Sequence, residues 1–172
     1  EGWLVGRSAW RTERAPAQEE LFDNGPHPAT QSFEMGDPTL DSEVSYALDL
    51  STHYGRDGWR VDAHLFRVRY EGFIDLMPTG LDDPDSGLPI NRYVQTDATF
   101  YGGEIEGSYR LWRDGERSFR LEAVADYVRG KTDLGPPARF QPWSLTGRGV
   151  FEGGWWTGTV EVRRVGGQDR VA

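Results

Sequence analysis

Apolar and polar residues alternate with a period of two along most of this chain, and the alternating runs are joined by connections that are by turns long and short. A period of two places successive side chains on opposite faces of an extended strand. From Glu43 to Tyr54, residues Val44, Tyr46, Leu48 and Leu50 share one face, and Glu43, Ser45, Asp49 and Ser51 share the other. Arg56-Asp57-Gly58 marks a tight turn. Trp59, Val61, Ala63 and Leu65 then alternate with Arg60, Asp62 and His64. Beyond Leu65 the phase changes to Phe66, Val68 and Tyr70, which predicts a bulge near Leu65. The polar stretch Thr79 to Asn91 reads as a loop, followed by a long strand from about Arg92 to Arg113, with Tyr109 and Leu111 on its apolar face. Two further hairpins have tight turns at Asp114-Gly115-Glu116 and Gly153-Gly154, with a loop opened by Gly135-Pro136-Pro137 between them. A first strand over Gly2 to Arg11 brings the total to seven strands. Helical spacing is confined to one short turn between Ala15 and Leu21, inside the long polar stretch from Thr12 to Ser42.

In an up-and-down meander every second connection lies at the same end of the sheet. All tight turns therefore gather at one end and all long loops at the other, as in transmembrane β-barrels. The fold class expected is all-β: an antiparallel up-and-down meander, seven strands of a larger transmembrane β-barrel. No parallel pair is expected within residues 43–168. Aromatic residues of the apolar face sit beside the tight turns: Tyr54 and Trp59, Tyr109 and Phe119, Phe151 and Trp156. Amphipathic rings at one level form the girdle of a membrane barrel, where apolar body meets lipid and polar edge meets headgroups. The opposite face carries Asp49, Arg60, Asp62, His64, Glu104, Glu106, Arg110, Arg120, Glu122, Asp126, Arg148, Glu161 and Arg163. A wet lumen tolerates both charge signs; lipid does not. The alternative is a soluble β-sandwich that binds a ligand such as carbohydrate. It would need a second layer over the apolar face, and the sequence offers no helices for one.

Composition narrows the function. The formal net charge is -9, against binding nucleic acid by charge alone. There is no cysteine, which removes disulfides, thiolate metal sites and a cysteine nucleophile. No apolar run reaches the length of a membrane helix, but barrel strands leave only a weak hydropathy signal. Glu1 opens the sequence without an initiator Met or an apolar leader, so any signal peptide is expected to have been removed.

The segment Arg14-Ala-Pro-Ala-Gln-Glu-Glu-Leu-Phe22, with Asn24-Gly-Pro-His-Pro-Ala-Thr30 and Phe33-Glu-Met-Gly-Asp-Pro-Thr-Leu40 after it, resembles a long extracellular loop of TonB-dependent outer-membrane receptors. Phe73-Ile-Asp-Leu76, Tyr93-Val-Gln-Thr-Asp-Ala98 and Gly103-Glu-Ile-Glu106 look like the same family's barrel. The resemblance implies a barrel of about 22 strands around an N-terminal plug. Residues 1–172 would supply seven late strands and no plug, and the chain stops at Val171-Ala172 without the aromatic residue that usually ends such barrels. It is thus expected to be part of a larger receptor in the bacterial outer membrane. The implied function is uptake of a scarce nutrient: a siderophore, a vitamin or a metal such as zinc. The implied partners are the lipid bilayer, the receptor's own plug and remaining strands, the TonB system and a small transported ligand. Neither a resident cofactor nor enzymatic activity is expected.

Candidate site residues are few. Glu104 and Glu106 share a strand face, but read as lumen polar residues rather than a glycosidase pair. No Ser/His/Asp constellation, phosphate-cradling glycine loop or HExxH helix is present. Asp82, Asp83 and Asp85 read as a solvated acidic turn, and His53 and His64 as lumen hydrogen-bonding groups. His27 is the one candidate metal ligand. It lies in the long loop beside Asp23, before Glu34 and Asp37, and imidazole with carboxylate suits zinc. The surrounding segment is similar to one in receptors of the zinc-uptake branch.

Overall fold

The computed structural model describes residues 2–137 and 141–167; Glu1, residues 138–140 and the end of the chain with Val171-Ala172 lie outside the described residues. In chain order the elements are β1 (Gly2–Arg14), α1 (Gln18–Phe22), β2 (Asn24–His27), β3 (Ser32–Met35), β4 (Glu43–Arg56), β5 (Trp59–Asp82), β6 (Pro89–Asp114), β7 (Arg117–Thr132), β8 (Ser144–Gly153) and β9 (Thr157–Val165). Seven long strands run in the order β1-β4-β5-β6-β7-β8-β9 of a 9-stranded sheet. Each is antiparallel to the next. The meander is the one expected, and α1 falls in the predicted short turn.

The sequence reading missed two strands. β2 and β3 form a small hairpin within the first loop, and β3 pairs in parallel with β6 at Phe33↔Ile90 through Met35↔Arg92. β7 pairs with β6 only from Ala98 onward, so the first residues of β6 have a free edge, which β3 occupies from Ile90 to Arg92. Four-residue strands rich in Gly and Pro show no alternation to read; their partner is supplied from far along the chain. The stretch Thr79 to Asn91 is also not an open loop. β5 and β6 continue through it as a long hairpin arm, leaving only a turn at 83–88.

The register fixes the faces. Tyr46, Leu48 and Leu50 of β4 lie opposite Arg69, Arg67 and Leu65 of β5, and the pairing runs unbroken through Leu65. The bulge predicted there is absent. Register shifts occur instead between Tyr70 and Phe73, between Pro78 and Asp82, and between Arg110 and Trp112. The phase change has another cause: above Leu65 the outward positions become Arg67, Arg69 and Glu71, as the strand leaves the apolar zone. The apolar residues of that stretch turn inward, and Tyr70, Phe73 and Phe100 meet edge to face at 5.2–5.3 Å.

Below that level the outward face is mostly apolar yet uncovered: Leu50 is 47%, Val160 73% and Val162 71% exposed. All strands belong to one sheet, with no second layer over this face among the described residues. A β-sandwich requires two packed sheets, and the described residues form one. The aromatic residues gather as expected beside the tight turns. Trp3 packs on Tyr54 at 4.8 Å, Trp59 stacks on Tyr109 at 4.3 Å, and Phe151 meets Trp156 at 4.8 Å. The shift after Arg110 also corrects the reading of Leu111: Trp112, not Leu111, stands opposite Phe119 and reaches Phe151 at 6.1 Å.

Close approach between β5, β6 and β7 depends on two glycines. A Cβ at Gly102 would strike the Tyr127 carbonyl oxygen and lie 2.9 Å from the Phe66 ring; one at Gly103 would lie 2.7 Å from the His64 carbonyl oxygen. Gly102→Val is expected to destabilise the folded barrel by about 1–3 kcal/mol through overpacking, read as a lower urea midpoint in detergent micelles. Brominated lipid carrying its bromines near the headgroup is expected to quench Trp59 and Trp156 strongly.

Candidate functional site

The long first loop, which carries His27, is tied down at three places. At its start, the Arg14 guanidinium donates to Glu20 at 2.8 Å and to Glu43 at 3.4 Å. Glu20 also accepts the Ala17 N–H at 2.7 Å, and Glu43 accepts the Ile74 N–H at 3.0 Å. Arg14 thus joins α1 to the ends of β1 and β4. At mid-loop, backbone bonds run from Gly36 to Asp23 at 2.7 Å and from Asp37 to Glu20 at 2.9 Å. Further on, β3 is hydrogen-bonded into the β6 edge, and the Tyr93 hydroxyl donates to Glu34 at 3.3 Å. The loop therefore straps across the β5–β6 arm.

Within the strap His27 is exposed at the end of β2, where its Nδ1 lies 3.7 Å from Glu34. Thr30 stands between them, donating to Glu34 at 2.6 Å and lying 3.3 Å from the His27 ring. Glu34 is only 3% exposed. The fold brings Glu34 to His27 but gives the Asp37 carboxylate separate work. Asp37 accepts the Thr39 N–H at 2.9 Å and hydroxyl at 2.6 Å, and these bonds hold its carboxyl below the usual range. Asp23 is engaged through its backbone. Among the described residues no three His, Asp or Glu side chains converge on one point. Tyr93 was not singled out from sequence. Its phenol is pushed up to about 12, first by burial and then by the charge of Glu34 and the bond to it.

The acidic tip behaves as a turn. Asp83 accepts the Ser86 hydroxyl at 2.6 Å and N–H at 2.8 Å, which hold its carboxyl below the usual range.

The inward face carries the expected charges, and the register knits them together. His53 contacts Asp62 at 2.6 Å, and Arg60 donates to Asp62 at 2.9 Å. His64 pairs with Asp49, and Arg148 with Glu161. Arg120 bonds Glu122 at 2.8 Å and approaches Glu152 at 3.7 Å. Glu104 and Glu106 face the same side, opposite His64 and Asp62 on β5, and are exposed. They sit beside an open cleft of about 530 Å³ lined also by Leu4, Ser51 and His53. Exposed pairs of this kind contribute little stability, about 0–1 kcal/mol each. What they produce is a polar wall whose side chains are held in place, with carboxylates in excess around Asp62, Glu104 and Glu106.

A single antiparallel meander, apolar on one face and charged on the other, has the layout of a membrane-barrel wall. A family model described as TonB dependent receptor-like, beta-barrel, matches residues 1–172. The chain belongs to the TonB-dependent receptor β-barrel family. Among solved structures it is similar to the copper transporter OprC, with a TM-score of 0.80 and 23% identity over 99% of this chain and 25% of that one. It is also similar to the siderophore receptor PirA from Pseudomonas aeruginosa, with a TM-score of 0.53 and 17% identity over 94% of this chain and 32% of that one. At these identities the likeness is one of fold. The chain spans between a quarter and a third of the length of those receptors.

The anchored loop has a pH signature. Burial pushes the Glu20 carboxyl up, but the bonds from Arg14 and the Ala17 N–H outweigh it and hold the group below its ordinary value. A depressed carboxyl stabilises the folded loop above its unfolded pKa, about 4.3, and that contribution is lost as pH falls through the lower folded value. Amide exchange at Leu21 and Asp23 is therefore expected to accelerate, beyond its intrinsic pH dependence, as pH is lowered below about 4.3. Glu20→Gln should remove this extra acceleration.

Proposed function

We propose that the chain forms part of an outer-membrane receptor that takes up a scarce nutrient with energy from the TonB system. The observation that carries this reading is the division of one sheet into an apolar outer face with an aromatic girdle and a charged inner wall. Such a wall suits a wet lumen filled by a plug. β1 and β9 each have one unpaired edge among the described residues, and an open edge in lipid leaves backbone groups without partners. Further strands of the same receptor would close the barrel. The protein acts by capture and passage; its own residues do no covalent chemistry. A metal, where one is involved, is cargo and not a resident cofactor.

The cargo reading is a borderline divalent metal, met first by His27. The imidazole is exposed on the strapped loop with Glu34 beside it, and the excess carboxylates of the inner wall favour a cation further in. The fold likeness to a copper transporter is in keeping with this class. Remaining ligands would come from parts of the receptor beyond this chain. In the intact receptor, His27→Ala is expected to weaken zinc binding about tenfold, roughly one ligand contact of 1.4 kcal/mol, with the barrel still folded by heat-modified gel mobility. Binding should also weaken as imidazole becomes protonated. Zinc affinity and uptake unchanged in His27→Ala would remove His27 from the reading; uptake of a metal-free organic compound alone would remove the metal.

A further inference from the structure

We infer that Glu34, acting through Thr30, is a positioning residue that fixes the proton of neutral His27 on Nδ1 and leaves Nε2 as the ring atom that meets a metal. The consequence for a metal rests on the reading of His27 above; the position of the proton rests on the hydrogen bonds of the strap alone.

A carboxylate accepts hydrogen bonds and donates none, whereas a hydroxyl has one proton and two acceptor positions. Glu34 is buried on β3 with both oxygens engaged: Oε1 takes the Thr30 hydroxyl at 2.6 Å and Oε2 the Tyr93 hydroxyl at 3.3 Å. The single proton of Thr30 is thereby committed to Glu34. The other acceptor within its reach, the His27 carbonyl oxygen, is farther at 3.3 Å and already takes the Gln31 N–H at 3.0 Å. One acceptor position of Thr30 is filled by the hydroxyl of buried Ser32, which donates at 2.9 Å. The other is left for His27, whose Nδ1 lies 3.3 Å away.

Nδ1 therefore faces an oxygen with no proton to give, and the carboxylate oxygen of Glu34 stands 3.7 Å from the same nitrogen. A bare Nδ1 would set its lone pair against both oxygens; an Nδ1–H meets two acceptors. Neutral imidazole carries one ring proton, and the bond made by one nitrogen decides the state of the other. Nε2 is thus left with its lone pair. It has no hydrogen-bond partner among the described residues, and the side chain is exposed. Imidazoles that bind metals generally donate their second nitrogen to an oxygen, which orients the ring and strengthens it as a ligand. Here that oxygen is a hydroxyl polarised by a buried carboxylate. Turn geometry holds the set together: His27 pairs with Ser32 at the end of the β2–β3 hairpin, and Gln31 takes φ 53° beside it.

The intact receptor, labelled with 15N-histidine and reconstituted in lipid vesicles, is read by solid-state NMR at about pH 8, where an ordinary imidazole of pKa about 6.5 is neutral. Subtracting the His27→Ala spectrum isolates the His27 signals. Nδ1 is expected to be the protonated nitrogen, and added zinc ion should shift Nε2 while Nδ1 keeps its proton. Glu34→Gln puts an amide that can donate beside Thr30, which frees the hydroxyl to turn its proton toward Nδ1. The Nδ1–H share should then fall about threefold, and zinc affinity at least in proportion, because only that form presents Nε2. Heat-modified gel mobility checks that the variant is folded, and the wild-type spectrum needs no variant of Glu34. A proton on Nε2 in the wild-type receptor would overturn the proposal, as would an Nδ1–H share unchanged in folded Glu34→Gln. Loss of the Nδ1 proton on adding zinc would overturn Nε2 as the ligand atom. An Nδ1–H signal as expected, with neither ring nitrogen responding to zinc, would overturn the metal reading and leave the proton assignment standing.

Discussion

Backbone hydrogen bonding in a medium without water is the constraint on which the rest depends. Each N–H and C=O that crosses lipid must find its partner on a neighbouring strand. That requirement dictates long, continuous ladders and few irregularities at the levels where the outer face is apolar. The register shifts respect it. Two of the three lie in the β5–β6 arm above the apolar band, and the third lies beside a tight turn.

Once the ladder is fixed, the period of two does the remaining sorting. Side chains alternate between a face that meets lipid and one that meets water, and each face then obeys its own chemistry. Outside, aromatic pairs assemble across adjacent strands beside the tight turns. Inside, acids and bases pair along a strand or between neighbouring strands, His53 with Asp62 and Arg148 with Glu161 directly across a row. The transition from Leu65 to Arg67 shows both rules acting on one strand. The backbone does not change; the surroundings do, and the residue types follow.

Much of this could be read from the residues themselves. Val44 to Leu50 and Trp59 to Leu65 announce their faces by alternation, and Asp57-Gly58 announces its turn: both residues take positive φ, 50° and 85°. Glu104, Glu106 and the paired arginines were legible as an inner wall because charge cannot face lipid. Three things were not legible. The phase change at Leu65 has two physical causes with the same sequence signature, a bulge or an exit from the apolar zone, and only the register separates them. The arm around Thr79 to Asn91 looks like a loop because a hairpin exposed to water on both sides needs no apolar face. β3 and its partner on β6 share no local signal, since their pairing depends on where β7 stops. At the candidate site, His27 and Glu34 could be named from their types. Tyr93 could not, because its role follows from the strap that brings Glu34 to it.

The parallel pairing of β3 with β6 also orders events in time. Hairpins β4–β5 and β5–β6 close over short separations, whereas Phe33 must find Ile90 across two strands and their turns. The entropy of closing a loop grows with its length, and a parallel partner has no tight turn to nucleate it. The edge that β3 occupies is the side of β6 away from β5. The strap is thus a late-docking element: the wall is built first, and the segment carrying His27 is laid across it afterwards.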